Sequence, residues 1–288
     1  MLKTLGLIAS IFLSGCATKH PGTYEVAEAS GGTVGSDAAG QAEALWAERL
    51  DPAKLQSSLD KYEEMYNADP TNRELAVRLT RGYYLMGDAH KTEMPEKLAE
   101  WEKSIAWGKR CIALNGEFTA LLEKGDESEE TAVVVATADD VPCLYWTATS
   151  LGKWAKASGL AKTLKHIGTV KAYIARVEEL DATFYFAAAD RYWGAYYAAI
   201  PSFAGQDLDK SKVHFDKAIA AAPGNLATQV LLAEYWAVKT QNKAVFQETL
   251  NKVLASDANA VPALVPENTI EQKKAKNLLA SMDDLFAE

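Results

Sequence analysis

The stretch from residue 170 to residue 225 constrains the fold most, because three helical patterns follow one another there with sharp breaks between them. In the first pattern, apolar residues such as Ile174 and Val177 recur at steps of three and four. That spacing places them on one face of an α-helix. Pro201 ends the second pattern, and a Pro-Gly-Asn turn at 223–225 ends the third. Helix, tight turn and helix in succession predict helical hairpins.

The fold class predicted for the whole chain is all-α. Alternating Val, Ile and Thr residues, which are typical of strands, are nearly absent from this alanine-rich sequence. Turns that follow the second helix of each predicted pair are 46, 65, 42 and 35 residues apart, at Pro70, Gly116, Asp181, Pro223 and Ala258. Tetratricopeptide units recur every ~34 residues, so only the last interval fits closely. We therefore expect a degenerate tetratricopeptide-like helical hairpin array, a right-handed α-solenoid with insertions.

Some helix starts are predicted from their side chains, and one segment stays undecided. Asp51 precedes a proline and should cap the helix that begins there, since Asp accepts hydrogen bonds from the first free backbone amides. Thr269, with Gln272 three residues later, predicts a capping box. The segment 117–140 combines an acidic run with three valines at 133–135. So short an apolar run fits a strand, a helical turn or buried extended chain equally.

The N-terminus has the pattern of a lipoprotein signal. Lys3 precedes an apolar run at 5–13, and the sequence Leu-Ser-Gly-Cys ends at Cys16. The run is too short to span a membrane as a mature helix. The Cys16 motif resembles a bacterial lipobox, which implies cleavage before Cys16 and lipidation of its sulfur. Residue 17 is Ala rather than the Asp that retains lipoproteins in the inner membrane, which favours the outer membrane, with the body on the periplasmic side.

These features divide the chain into three parts. We expect a signal peptide at 1–15, a flexible Gly- and Ser-rich tether at 16–41, and a single tetratricopeptide-like helical domain at 42–288. About 25 residues of such a tether would have a root-mean-square span of roughly 25–30 Å. The folded body could therefore reach well away from the membrane.

Composition and motifs argue against several functional classes. The formal net charge is −9, which disfavours nucleic acid as a partner. The four histidines lack the spacing of a metal site; they are His20, His90, His166 and His214. No nucleophile elbow, P-loop or dinucleotide-binding glycine pattern is present. We therefore expect no enzymatic activity, no cofactor and no metal.

An aromatic cluster is the main candidate site. Two predicted helices carry an unusual density of large rings, at Tyr145, Trp146, Tyr192, Trp193, Tyr196 and Tyr197. Residues four apart form two adjacent stripes on the second of these helices, so its rings cover more than one face. Packing between helices would account for any single ring. A helix with two apolar faces also fits a position between the core and an apolar ligand channel.

Two cysteines remain after Cys16. Cys111 and Cys143 could pair, because the periplasm permits disulfides. Each could equally be a small buried apolar residue. The two alternatives stay open at the level of sequence.

Several short sequence segments, taken together, resemble one family, the T component (TatT) of tripartite ATP-independent periplasmic (TRAP) transporters. They are 141–146 (VPCLYW), 176–181 (RVEELD), 193–201, 205–208 (GQDL), Lys212, Phe215, 217–219 (KAI), 233–235 (AEY), Phe246, Leu250, 274–276 (KAK), Leu278, Leu279 and 283–286 (DDLF). The resemblance extends from about residue 55 to the end. The family pattern commonly has glycine at 187–189, where this chain has three alanines, and at Gln206.

The resemblance implies a lipid-anchored accessory that binds the extracytoplasmic solute-binding subunit (the P subunit) of a TRAP system. It also implies a homotrimer around an apolar channel that holds or passes a hydrophobic ligand. The alternative is a tetratricopeptide lipoprotein scaffold for envelope assembly, with a peptide groove and no small ligand.

Overall fold

The computed structural model describes residues 24–30, 35, 37–123 and 128–286. All regular structure in these ranges is helical. The α-helices are α1 (Ala38–Ala47), α2 (Pro52–Ala68), α3 (Arg73–Leu85), α4 (Met94–Ala113), α5 (Gly116–Glu123), α6 (Glu129–Ala132), α7 (Val141–Ala157), α8 (Leu160–Leu180), α9 (Phe184–Ala199), α10 (Leu208–Ala221), α11 (Leu226–Leu231), α12 (Lys243–Ala255), α13 (Val265–Ala280) and α14 (Met282–Leu285). π-helical turns at Met86–His90 and Leu232–Ala237 extend α3 and α11. The predicted all-α class is confirmed.

Side-chain caps and prolines define several helix starts. Asp51 accepts hydrogen bonds from the amides of Ala53 and Lys54, as predicted, and Pro52 begins α2. Asn72 caps α3 in the same way, and Asn242 caps α12. These caps satisfy amides that have no partner within the helix.

The predicted capping box at Thr269 is wrong. Helix α13 begins at Val265, and the Thr269 hydroxyl donates to the Val265 carbonyl from inside the helix, at 2.8 Å. Pro266 favours this earlier start because its fixed φ suits the first helical turn. Gln272 instead joins α13 to the end of α12, donating to the carbonyls of Val253 at 3.1 Å and Ser256 at 2.8 Å.

The undecided segment is helical in its described part. The three valines form a 3-10 turn, Val133–Val135, which was one of the three alternatives. A second turn ends at Asp140, whose side chain is 1% exposed. The Asp140 carboxylate accepts from Arg73 of α3 and from Asn115 at the end of α4. This buried carboxylate therefore ties the segment to the core.

Helices that follow one another along the chain pack in pairs around two apolar clusters. The larger cluster extends from α1 to α9 and includes fully buried residues such as Tyr66, Leu144 and Tyr173. The smaller one joins α11, α12 and α13 through residues such as Phe246 and Leu250. The close pairs along the chain are α1 with α2, α3 with α4, α7 with α8, α9 with α10, and α12 with α13.

Part of the predicted tether contacts the body. The hydroxyls of Tyr24 and Tyr173 are hydrogen bonded at 2.6 Å, and the Ser30 amide donates to the Asn67 carbonyl at 2.8 Å. Helix α1 begins at Ala38, so the predicted domain boundary at residue 42 falls within it. Cys16 and the predicted signal peptide lie outside the described residues. Within the described ranges, no helix combines the length and the apolar character needed to cross a bilayer.

Candidate functional site

A partly open cavity of about 770 Å³ lies among the helices of the body. Its walls come from α3 and the π-helical turn after it, from α7, α8 and α9, and from α11 and α13. Pockets for small molecules in proteins typically have volumes of about 300–1,000 Å³. The cavity is therefore large enough for a small organic ligand.

The structure separates the six predicted channel residues into two groups. Four rings line the cavity, those of Tyr145, Trp146, Tyr192 and Tyr196. Trp193 points elsewhere and donates its indole N–H to Glu178 of α8 at 2.8 Å. Tyr197 stacks on His214 of α10, with ring centroids 5.7 Å apart. The two aromatic stripes of α9 thus have different surroundings, one facing the cavity and one packed on neighbouring helices. A channel role for the six stays a prediction.

The start of α9 has an unusual backbone. Tyr185, Phe186 and Ala187 have positive φ angles of 41°, 62° and 55°, a left-handed conformation that costs non-glycine residues roughly 1–2 kcal/mol each. Arg191, one turn further along, donates to the Phe186 carbonyl at 3.1 Å and to the Tyr185 carbonyl at 3.4 Å. Its guanidinium also donates to the Tyr145 hydroxyl at 3.0 Å. Arg191 therefore connects the left-handed turn to the cavity wall.

A partly buried ionic cluster lines one side of the cavity. Asp88 accepts from Lys153 of α7 at 2.8 Å and from Lys274 of α13 at 2.6 Å. Burial alone would raise the pKa of Asp88, but the two ammonium groups outweigh burial and hold that pKa well below its usual range. Lys274 also contacts Glu271 at 2.8 Å, yet burial keeps the pKa of Glu271 raised.

A second ionic group lines the cavity beside Trp146. The Glu267 carboxylate accepts from Arg49 and from Arg81, each at 2.7 Å. Arg81 donates to the Tyr185 hydroxyl at 3.0 Å, and its guanidinium lies 5.4 Å from the centroid of the Trp146 ring. Burial opposes the charge of Glu267, but the two guanidiniums lower its pKa. This group anchors α13 to α3 beside the cavity.

Sequence reasoning missed the ionic part of the site. The lining contains eight Lys or Arg residues and four carboxylates beside its aromatic rings. Lys153 and Arg191 lie in helices whose other residues are largely apolar. A cation in such a helix was the one local sign in the sequence that a charged group lines the site. The partner of Lys153, Asp88, is 65 residues away in sequence, so no local sequence pattern could have identified the ion pair.

The histidines are dispersed in the described part of the chain. His90 is hydrogen bonded to the Arg49 carbonyl at 3.0 Å, and His214 to Asp190 at 2.7 Å. His166 packs against Trp154. Within the described residues, no group of three or more His, Cys, Asp and Glu side chains has the arrangement of a metal site. His20 lies outside those residues.

Cys111 of α4 and Cys143 of α7 meet in the core. In the structure their sulfur atoms lie at bonding distance, 2.01 Å, and their Cα atoms are 5.5 Å apart. Both residues are fully buried. The oxidation state of the pair in the cell stays a prediction.

The fold and the cavity together define an all-α protein with an internal site large enough for a small ligand. The family model for the TRAP transporter T-component matches residues 50–286, and the chain belongs to this family. An uncharacterized protein of Treponema pallidum (strain Nichols) is 24% identical over 252 residues, which cover 80% of this chain and 77% of that protein. Family membership associates the chain with a TRAP transport system.

Proposed function

We propose that this protein is a periplasm-facing lipoprotein accessory of a TRAP transporter, anchored through Cys16. In this role it binds the solute-binding P subunit and holds or passes a hydrophobic ligand, with no bond-making chemistry. The observation that carries the ligand part is the cavity of about 770 Å³ with seven Tyr or Trp side chains in its wall. Burial of a ligand's apolar surface against these rings would contribute a favourable transfer free energy of about 25 cal/mol per Å², which is partly offset by the entropy cost of association.

We further propose that the helical hairpins stack as a tetratricopeptide-like right-handed solenoid and that three copies associate. The pairing of α1 with α2, α3 with α4, and α7 with α8 is compatible with such stacking. Trimer formation rests on the family resemblance alone. Light scattering on the purified protein tests it, because a monomer would contradict the proposal.

The ligand proposal is tested by substituting one cavity ring and one matched ring outside the cavity. Tyr196→Asp places a carboxylate in the cavity wall and should abolish retention of an apolar fluorophore. Tyr197→Asp is the control, since Tyr197 lies next in the same helix but does not line the cavity. Circular dichroism should show retained helicity in both variants. Unchanged fluorophore binding by Tyr196→Asp would mean that these rings serve packing alone.

The partner proposal is tested by affinity capture from native envelopes. Recovery of a TRAP solute-binding protein supports the proposed role. Recovery of envelope assembly factors in its place would favour the scaffold alternative. The anchor is tested by mass spectrometry of the mature protein, where an unlipidated N-terminal peptide that retains residues before Cys16 would contradict it.

A further inference from the structure

The charge of the cavity is opposite to the charge of the chain. The whole protein carries a formal net charge of −9, whereas the cavity lining has eight cationic side chains and four carboxylates. Three of those carboxylates are already engaged: Asp88 with two lysines, Glu271 with Lys274, and Glu267 with Arg49 and Arg81. Of the other cations in the lining, Lys91 pairs with Glu100, and Lys156 and Lys273 are exposed, whereas Arg191 is buried.

Arg191 is the cation of the lining that lies deepest. Arg191 is 5% exposed. Among the described residues, no carboxylate oxygen lies close enough to its guanidinium nitrogens to form an ion pair. The guanidinium donates only to neutral oxygens, two backbone carbonyls and the Tyr145 hydroxyl. A buried charge without a counter-ion is costly, and an anion that reaches it gains correspondingly.

Hydroxyl donors surround the same part of the cavity. The Tyr145 oxygen accepts from Arg191, so its own proton is available to a further acceptor. Tyr84 and Tyr192 line the cavity as well, and neither hydroxyl is among the hydrogen bonds formed by the described residues. Gly152 leaves room for Tyr192, because a Cβ at this position would lie 2.5 Å from the Tyr192 oxygen. These hydroxyl groups can donate hydrogen bonds and lie in the same cavity lining as the Arg191 guanidinium. An oxyanion would accept hydrogen bonds from both kinds of group.

We propose that the cavity binds an amphipathic organic anion, with its oxyanion at Arg191 and the Tyr145 hydroxyl and its apolar body against Trp146 and Tyr196. This inference rests on the proposed ligand-holding function and specifies the class of ligand. The guanidinium and the phenol select the charged group, and the aromatic wall buries the remainder. The ionic cluster around Asp88 is internally compensated, so it adds no comparable selectivity.

The test compares three probes of equal chain length with the full chain by isothermal titration calorimetry: octanoate, octanol and octylammonium. Octanoate should bind about tenfold tighter than octanol or better, since hydrogen bonds to a charged group are worth a factor of this order. Octylammonium should bind most weakly. Arg191→Met and Tyr145→Phe should each reduce the preference for octanoate while leaving octanol affinity unchanged.

Arg191→Met removes the hydrogen bonds that hold the left-handed turn and could therefore impair folding. Tyr145→Phe is the second variant because it removes a single oxygen and leaves those hydrogen bonds of Arg191 in place. The control is Tyr83→Phe, which removes a hydroxyl that donates to Glu63 at 2.6 Å away from the cavity lining. Equal affinity for octanoate and octanol, or an octanoate preference that persists in both cavity variants, would overturn the anion site while the proposed function stands. Failure of all three probes to bind would overturn the ligand-holding function itself.

Discussion

Gly194 of α9 lies directly against the ring of Phe215 of α10. A Cβ on Gly194 would be 2.7 Å from two atoms of that ring, which is closer than van der Waals contact. The Ser211 hydroxyl, one turn before Phe215, donates to the Gly194 carbonyl at 2.6 Å. The two helices therefore approach each other at a point where only glycine fits, and this contact positions the helix that carries the cavity rings Tyr192 and Tyr196.

Gly194→Ala is expected to destabilise the protein by about 1–3 kcal/mol, because the added methyl forces Phe215 or the helices to move. Chemical denaturation monitored by circular dichroism measures this change. Gly116→Ala is the control, since a Cβ there meets nothing within 4 Å and alanine favours a helix. Equal stability of both variants would contradict the close packing of α9 on α10.

Ala187→Gly is expected to stabilise the protein by up to about 1 kcal/mol. Ala187 has a φ of 55°, and glycine adopts this left-handed conformation without the penalty that a Cβ imposes. The melting temperature should rise by about 2–4 °C for a chain of this size. The control is Ala188→Gly at the next position. Ala188 is fully buried within α9, and glycine in place of alanine inside a helix should lower stability by roughly 1 kcal/mol. A loss of stability in both variants would argue against the left-handed turn.

Asp88→Asn is expected to destabilise the protein by about 1–3 kcal/mol near neutral pH, because it leaves the partly buried Lys153 without its carboxylate partner. Asp216→Asn breaks an exposed pair with Lys212 and should cost under about 1 kcal/mol. Urea denaturation of the two variants gives the comparison. A loss at Asp88 no greater than that at Asp216 would show that the ionic cluster around Asp88 does not stabilise the fold.

The same carboxylate predicts how stability depends on pH. Burial would raise the pKa of Asp88, but Lys153 and Lys274 lower it, so the ionised form is favoured in the folded state. Its contribution is present above the unfolded pKa of about 3.9 and is lost as pH falls from there towards the folded value. The unfolding free energy of the unsubstituted protein should therefore fall more steeply below about pH 4 than that of Asp88→Asn. Parallel curves would contradict this.

The proposed disulfide between Cys111 and Cys143 predicts a loss of stability on reduction. The two residues are 32 apart in sequence, and closing a loop of this length contributes roughly 3–4 kcal/mol through the unfolded state. Thiol titration of the denatured, non-reduced protein should find neither cysteine free. Two titratable thiols at these positions would mean that the cysteines are unpaired and only fill space in the core. Reductant would then have no effect on stability, which would contradict the prediction.

Local signals predicted the helical architecture well. Breaks at Pro201 and at the turn 223–225 separate α9, α10 and α11 in the structure, because proline and glycine act on the backbone at their own positions. The Asp51 cap was equally predictable, since it contacts amides only two and three residues away. Thr269 was mispredicted because Pro266 offered an earlier start, and two competing local signals cannot be ranked without the packing of α13 on α12.

The sequence by itself determined the helical class, several helix boundaries and an aromatic concentration in α7 and α9, since all of these depend on residues close together along the chain. Only the tertiary structure decided that Tyr192 and Tyr196 line the cavity while Trp193 and Tyr197 do not. It also decided that Asp88, Lys153 and Lys274 meet, and that Arg191 is buried without a carboxylate partner. The physical reason is that burial and ion pairing depend on distances between helices remote in sequence, which periodicity along one helix does not encode.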